Sequence, residues 1–79
     1  MTQHLTDATI AQWTHGTLAE QTAAQLTEDL SSARRWKPVE SDRSLAARLD
    51  VSTSIASEAK RLLAERGVIA KHGSLYYVA

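Results

Sequence analysis

Residues 41–79 read SDRSLAARLDVSTSIASEAKRLLAERGVIAKHGSLYYVA, and the punctuation within this stretch decides the fold. Ser41 can cap a helix whose interior, DRSLAARL, is about eight residues long and sets Leu45, Ala46 and Leu49 on one face. Asp50 and Val51 follow. Ser52 then offers a second hydroxyl cap for a helix from Thr53 to about Arg66, which Gly67 stops. Two capped helices so close together make a tight helical turn. Beyond Gly67 the period changes. Val68, Ile69 and Ala70 are β-prone, His72-Gly73-Ser74 is a turn signal, and Leu75 to Val78 is β-prone again, which predicts a hairpin. Successive strand residues face opposite ways, so one tyrosine of the Tyr76-Tyr77 pair must be core; Tyr77 is assigned that place and Tyr76 the solvent.

Upstream, Pro38 and its neighbours are the only clear break, dividing the chain near residues 35–40. Thr17-Leu18-Ala19-Glu20 is a capping-box pattern that predicts a helix to about Ser32. Leu18, Thr22, Leu26 and Leu30, with Ala19 and Ala23 beside them, form its apolar stripe, leaving Gln21, Gln25, Glu28 and Asp29 wet. A short helical segment before it, from Asp7 to Thr14, places Ile10 and Trp13 one turn apart, and Gly16 ends it. The order helix, helix, turn, helix, hairpin is that of a winged helix-turn-helix, mainly α with a small β-hairpin. Residues 1–16 are an N-terminal helical extension and 17–79 the winged domain.

Seventy-nine residues support one modest core. The absence of Cys excludes disulfides and fits a reducing compartment. No stretch approaches the roughly 18 apolar residues of a membrane span, and the N-terminus lacks a signal-peptide pattern, so the expected location is cytoplasmic. The net charge is zero but unevenly placed: three basic and five acidic residues in 1–40 give −2, and six basic and four acidic in 41–79 give +2. That balance permits DNA binding without demanding it. His4, His15 and His72 lack metal spacing, and no phosphate-binding Gly-rich loop exists. No metal, cofactor or enzymatic activity is expected.

The run from Ser41 resembles the DNA-binding domain of the GntR family of bacterial transcriptional regulators. The features that carry the resemblance are Ser41-Asp42-Arg43-Ser44-Leu45-Ala46, Val51-Ser52, Ser57-Glu58-Ala59, Gly67-Val68-Ile69, His72-Gly73 and Tyr77-Val78. The helix with Leu26 and Leu30 looks like that family's first helix. The resemblance implies DNA contacts at Arg43, at Thr53, Ser54, Ile55 and Ser57, and at His72-Gly73 on the wing. Arg suits guanine O6/N7 or a phosphate, hydroxyls and helix amides suit phosphates, Ile suits a thymine methyl, and a wing-tip Gly admits close backbone approach. The chain departs from the family pattern where Thr53 and Ser57 replace frequent arginines, where Lys60 replaces an apolar residue and where Leu62 replaces a basic one. Lys60 is expected to reach solvent along its stem or to turn the helix slightly. Arg34, Arg35, Lys37, Arg61 and Lys71 are candidates to replace the lost cations, although a basic run such as 34–37 also serves as ordinary helix-end solvation.

These expectations converge on a regulator of double-stranded DNA, a small repressor that reads an inverted repeat as a homodimer. Family members usually carry a ligand domain after the wing, so the chain is expected to be a minimal repressor or a DNA-binding portion. Ile10 and Trp13 are the candidate dimer contacts, and Trp13 and Trp36 are assigned as core or interface anchors rather than base-stacking platforms. The rival expectation is a winged helix used as a protein-interaction module in a larger assembly, favoured by low charge and an exposed Leu62.

Overall fold

A computed structural model describes residues 17–79. The expected helix over 7–14, its Gly16 stop and the dimer contacts Ile10 and Trp13 lie outside the described residues. Three helices and a hairpin follow one another: α1 (Leu18–Asp29), α2 (Asp42–Leu49), α3 (Thr53–Glu65), β1 (Ile69–His72) and β2 (Leu75–Val78). The architecture is a winged helix, mainly helical.

Each helix begins where its cap dictates. Thr17 and Glu20 form the reciprocal capping box, the Thr17 hydroxyl accepting from the Glu20 amide at 3.2 Å and the Glu20 carboxylate from the Thr17 amide at 3.0 Å. Ser41 and Ser52 accept from the amides of Ser44 and Ile55, both at 3.1 Å. Asp50 closes α2 in the left-handed region, φ 56°, a conformation that Asp tolerates better than most residues. The three residues 50–52 therefore suffice to turn the chain from α2 into α3. Gly67, φ +78°, ends α3, and the Val68 amide reverts to the Leu63 carbonyl at 3.0 Å.

The core is a cluster of Ala23, Leu26, Leu45, Ala46, Ala56, Ala59, Leu63 and Ile69. Small residues dominate at the contacts of α3, so α1 and α2 both approach it closely. The stripe of α1 is shifted from the expected one. Ala19, Thr22, Ala23 and Leu26 are buried, but Leu18, in the first helical position, is half-exposed. Thr22 is tolerated inside because its hydroxyl donates to the Leu18 carbonyl at 2.8 Å. α1 ends at Asp29 rather than Ser32, in a short turn.

Two further corrections concern the sheet. The turn is the two-residue Gly73-Ser74, with Gly73 at φ +64° and His72 paired to Leu75. A three-residue turn over 72–74 would pair Ile69 with Tyr77; the observed turn pairs Ile69 with Val78, and a shift of one residue exchanges the faces. Hence Tyr76, not Tyr77, packs on the core, beside buried Val78. The break around Pro38 is itself extended. The Trp36 amide donates to the Val78 carbonyl (2.7 Å), Val78 to Lys37 (2.8 Å) and Val39 to Tyr76 (2.9 Å), so residues 36–39 run antiparallel along the free edge of β2. Pro38 fits there because an edge position asks no amide of it.

Candidate nucleic-acid interface

The N-terminus of α3 is the best-prepared anion site among the helix ends. Thr53, Ser54 and Ser57 are exposed, and the first turn holds no acidic residue, so the positive end of the helix dipole is not neutralised. α1 and α2 each carry a carboxylate in that turn, Glu20 and Asp42. Ile55 is half-buried, which leaves part of its side chain for an apolar contact.

Beside this helix a groove opens between the start of α2, the middle of α3 and the hairpin. Arg43, Ser57, Lys71 and Ser74 line it together with Asp42, Lys60 and Tyr76. Arg43 and Lys71 come from opposite walls, 28 residues apart in sequence, and neither makes an ion pair among the described residues. Lys71 lies 5.8 Å from the Tyr76 ring. The groove's carboxylate, Asp42, is already engaged by Lys60 at 2.8 Å.

Lys60 corrects the expectation that it reaches solvent: it is only 4% exposed. Its ammonium donates to the Glu40 carbonyl at 2.5 Å, meets Asp42 Oδ1, and stands 5.9 Å from the Tyr76 ring. Burial is tolerated because both acceptors sit at the entry to α2, where Lys60 can reach them without leaving the core. It therefore pins α3 to the start of α2 and removes the negative charge from the groove.

The remaining cations divide cleanly. Arg48 donates to Glu40 (Nε, 2.9 Å) and Asp29 (Nη1, 2.7 Å), tying α2 to the end of α1 and to the linker. Its hydrogen bonds hold both carboxyls below the ordinary carboxylate range against a smaller opposing effect of burial. Arg61, on the outer face of α3, is gripped by Glu58 and Glu65 of its own helix. Arg66 stands 3.8 Å from Glu20. Among the described residues, four of nine cations thus meet six of eight carboxylates. Arg34, Arg35, Lys37, Arg43 and Lys71 meet none among the described residues; Lys71 lies in the hairpin, Arg34, Arg35 and Lys37 lie in or next to the segment bridged to β2, and Arg43 faces the hairpin across the groove.

His72 and Gly73 stand exposed at the wing tip. A Cβ at Gly73 would meet nothing within 4 Å, so glycine is required there by its φ and not by crowding. Trp36 is 52% exposed, so of the two places expected for it, core or interface, the core is excluded. Leu62 is half-buried and packs on the core cluster, so the exposed leucine expected in α3 is absent. Sequence reasoning missed Ser74 and Tyr76 in the groove because their place follows from the hairpin register. It missed the bridge of Pro38 to β2 because that forms only by long-range pairing.

No family model matches the chain, and no curated protein matches it. Among solved structures the chain is similar to the crystal structure of PhnF from Mycobacterium smegmatis, at TM-score 0.69 and 26% identity. The likeness covers 73% of this chain and 26% of PhnF, so the chain spans about a quarter of that protein's length.

Proposed function

We propose that this chain is a sequence-specific duplex-DNA-binding transcriptional regulator, a small repressor acting as a homodimer on an inverted repeat. α3 enters the major groove with Thr53, Ser54, Ile55 and Ser57 leading. Arg43 and Lys71 hold the phosphates on either side of that helix, and His72-Gly73 meet the adjacent minor groove. The observation that carries this reading is the concentration, around the groove and hairpin of a chain with no net charge, of cations that meet no carboxylate among the described residues. Its likeness to PhnF, a GntR-family regulator, agrees with it. The N-terminal extension, through Ile10 and Trp13, supplies the dimer contact.

A salt series of duplex binding tests the proposal. If the five cations each neutralise a phosphate, the slope of log affinity against log salt lies near about −4.5. Selection from random duplexes then returns two half-sites about one helical turn, or a multiple of it, apart. Absence of binding at low salt overturns the reading. One observation favours the alternative of a protein-interaction module: the outer face of α3 carries Glu58 and Glu65 around Arg61, an arrangement suited to a charged protein surface. Failure of the salt series would leave that reading in place.

A further inference from the structure

We propose that the groove between α1 and the turn from α2 to α3 receives the N-terminal arm of a second copy of this chain, so that two copies exchange arms about a twofold axis. This rests on the homodimer reading above and names the surface that the arm's contacts require. The groove, of about 220 Å³, is lined by Leu18, Gln21, Thr22, Gln25, Leu49 and Val51. The four residues from α1 are spaced i, i+3, i+4 and i+7 and therefore form one face of that helix. Leu49 and Val51, which also pack on the core, make the other wall. Leu18 is 51% exposed at the start of α1. The fold of residues 17–79 thus leaves an apolar side chain uncovered at the groove.

The occupant follows from where the described residues begin. Residues 1–16 join α1 at Thr17, next to Leu18 on the groove's rim. The sequence predicts a helix over 7–14 that sets Ile10 and Trp13 on one face, the period that a helix lying along α1 needs. No charged side chain lines the groove, and none lies between Ala8 and Thr14, so the two surfaces meet without stranding a charge. Seating the arm on its own chain would require His15 and Gly16 alone to reverse it, since Thr17 is held extended (φ −73°, ψ 169°) by the two hydrogen bonds it shares with Glu20. Two residues are the lower limit of the roughly two to five that join antiparallel helices, and a strained short hinge favours exchange with a second copy. An arm that leaves from the rim of its own groove also leaves from the rim of the partner's when two grooves face each other. Two Trp13 side chains bury about 300–500 Å². With Ile10 and the groove surface they cover, the pair of seats approaches the roughly 1,200 Å² at which specific interfaces begin. This groove shares no residue with the one that holds Arg43 and Lys71, so arm exchange does not occupy the surface assigned to the duplex.

The test uses the full chain and two variants. Sedimentation velocity of Trp13→Ala, which blunts the arm, and of Leu18→Gln, which spoils the groove, is expected to show dimer dissociation constants raised by about tenfold or more over the parent. Mixing the two is expected to restore dimers at a concentration at which each alone is monomeric. The mixed pair keeps one intact seat, the arm of the Leu18→Gln chain in the groove of the Trp13→Ala chain. A Trp36→Phe background leaves Trp13 as the sole indole of the two, and its acrylamide quenching is expected to fall with rising concentration in step with the dimer fraction. A parent dimer that Leu18→Gln leaves unchanged, or no rescue on mixing, puts the arm's contact elsewhere and overturns the inference while the homodimer stands. Trp13 protected equally in the monomer seats the arm on its own chain and overturns it too. A parent chain that is monomeric at every concentration, with and without a duplex, overturns both the inference and the homodimer reading. Should Leu18→Gln unfold, as judged by circular dichroism, Gln21→Lys on the exposed side of the groove replaces it with the same expected outcomes.

Discussion

The helical body and the surroundings of the hairpin carry comparable numbers of cations and use them in opposite ways. In the body, Arg48, Lys60, Arg61 and Arg66 each stand against a carboxylate, and the first two bridge separate elements. Around the hairpin and across the groove from it, Arg34, Arg35, Lys37, Arg43 and Lys71 stand without one among the described residues. The difference teaches that a net charge of zero conceals a partition. Six carboxylates are consumed in ion pairs within the body, four between elements and two along α3, and the basic surface they would otherwise offset is left exposed. A formal sum over the chain cannot reveal this, because screening and pairing act over a few ångströms and not over the sequence.

The largest expected effect comes from removing what the two regions share. Leu63 is fully buried at the contact of α3 with the hairpin residue Ile69 and the other helices. Leu63→Ala is expected to lower stability by about 2–5 kcal/mol, with helical circular dichroism and Tyr fluorescence lost in one denaturant transition. Two separated transitions would show that body and hairpin fold independently, and the comparison would then be between two units.

The next effect separates them. Arg43→Ala is expected to weaken duplex binding by about 1–3 kcal/mol, with the denaturation midpoint unmoved, because Arg43 is exposed and unpaired. Unchanged affinity would remove α2 from the interface.

Lys60 sharpens the comparison from the other side. Asp42→Ala strips the buried ammonium of its carboxylate and leaves only the Glu40 carbonyl. It is expected to cost about 1–2 kcal/mol in chemical denaturation, less than a fully buried pair because Asp42 is partly exposed. Lys60→Met, which fills the same volume without charge, is expected to cost under about 1 kcal/mol or to stabilise. If the two variants behaved alike, the pair would hold no structural role.

The smallest effect is at the surface clamp. Arg48 lowers the pKa of Asp29 and Glu40 in the folded chain relative to the unfolded one. The clamp's stabilisation is therefore complete above the ordinary carboxylate range and is lost as pH falls through the lowered folded values. With Arg48 43% exposed, Arg48→Met is expected to cost about 0.2–1 kcal/mol at neutral pH, the difference from the parent closing toward acid. Duplex affinity should not change. A constant difference at every pH would assign the loss to packing of the Arg48 stem instead.

The helices were legible in the sequence because their signals are local. Thr17 with Glu20, Ser41, Ser52 and Gly67 act on amides and carbonyls within four residues, and each cap stands where its residue type requires. The candidate interface residues of α3 followed from position relative to Ser52, and Arg43 from position relative to Ser41. What only the tertiary structure decided is everything set by register and by long-range pairing. The two-residue turn at Gly73-Ser74 chose Tyr76 over Tyr77 for the core, since one residue of slip exchanges the faces of a strand. Pairing with β2 through the Pro38 bridge laid residues 36–39 along its edge, and Trp36 stands outside. Asp42 and the Glu40 carbonyl, 18 and 20 residues away, made a buried Lys60 acceptable where the helix pattern alone sent it to solvent. Caps and periods are settled by neighbours along the chain; faces, charges and exposure are settled by neighbours in space.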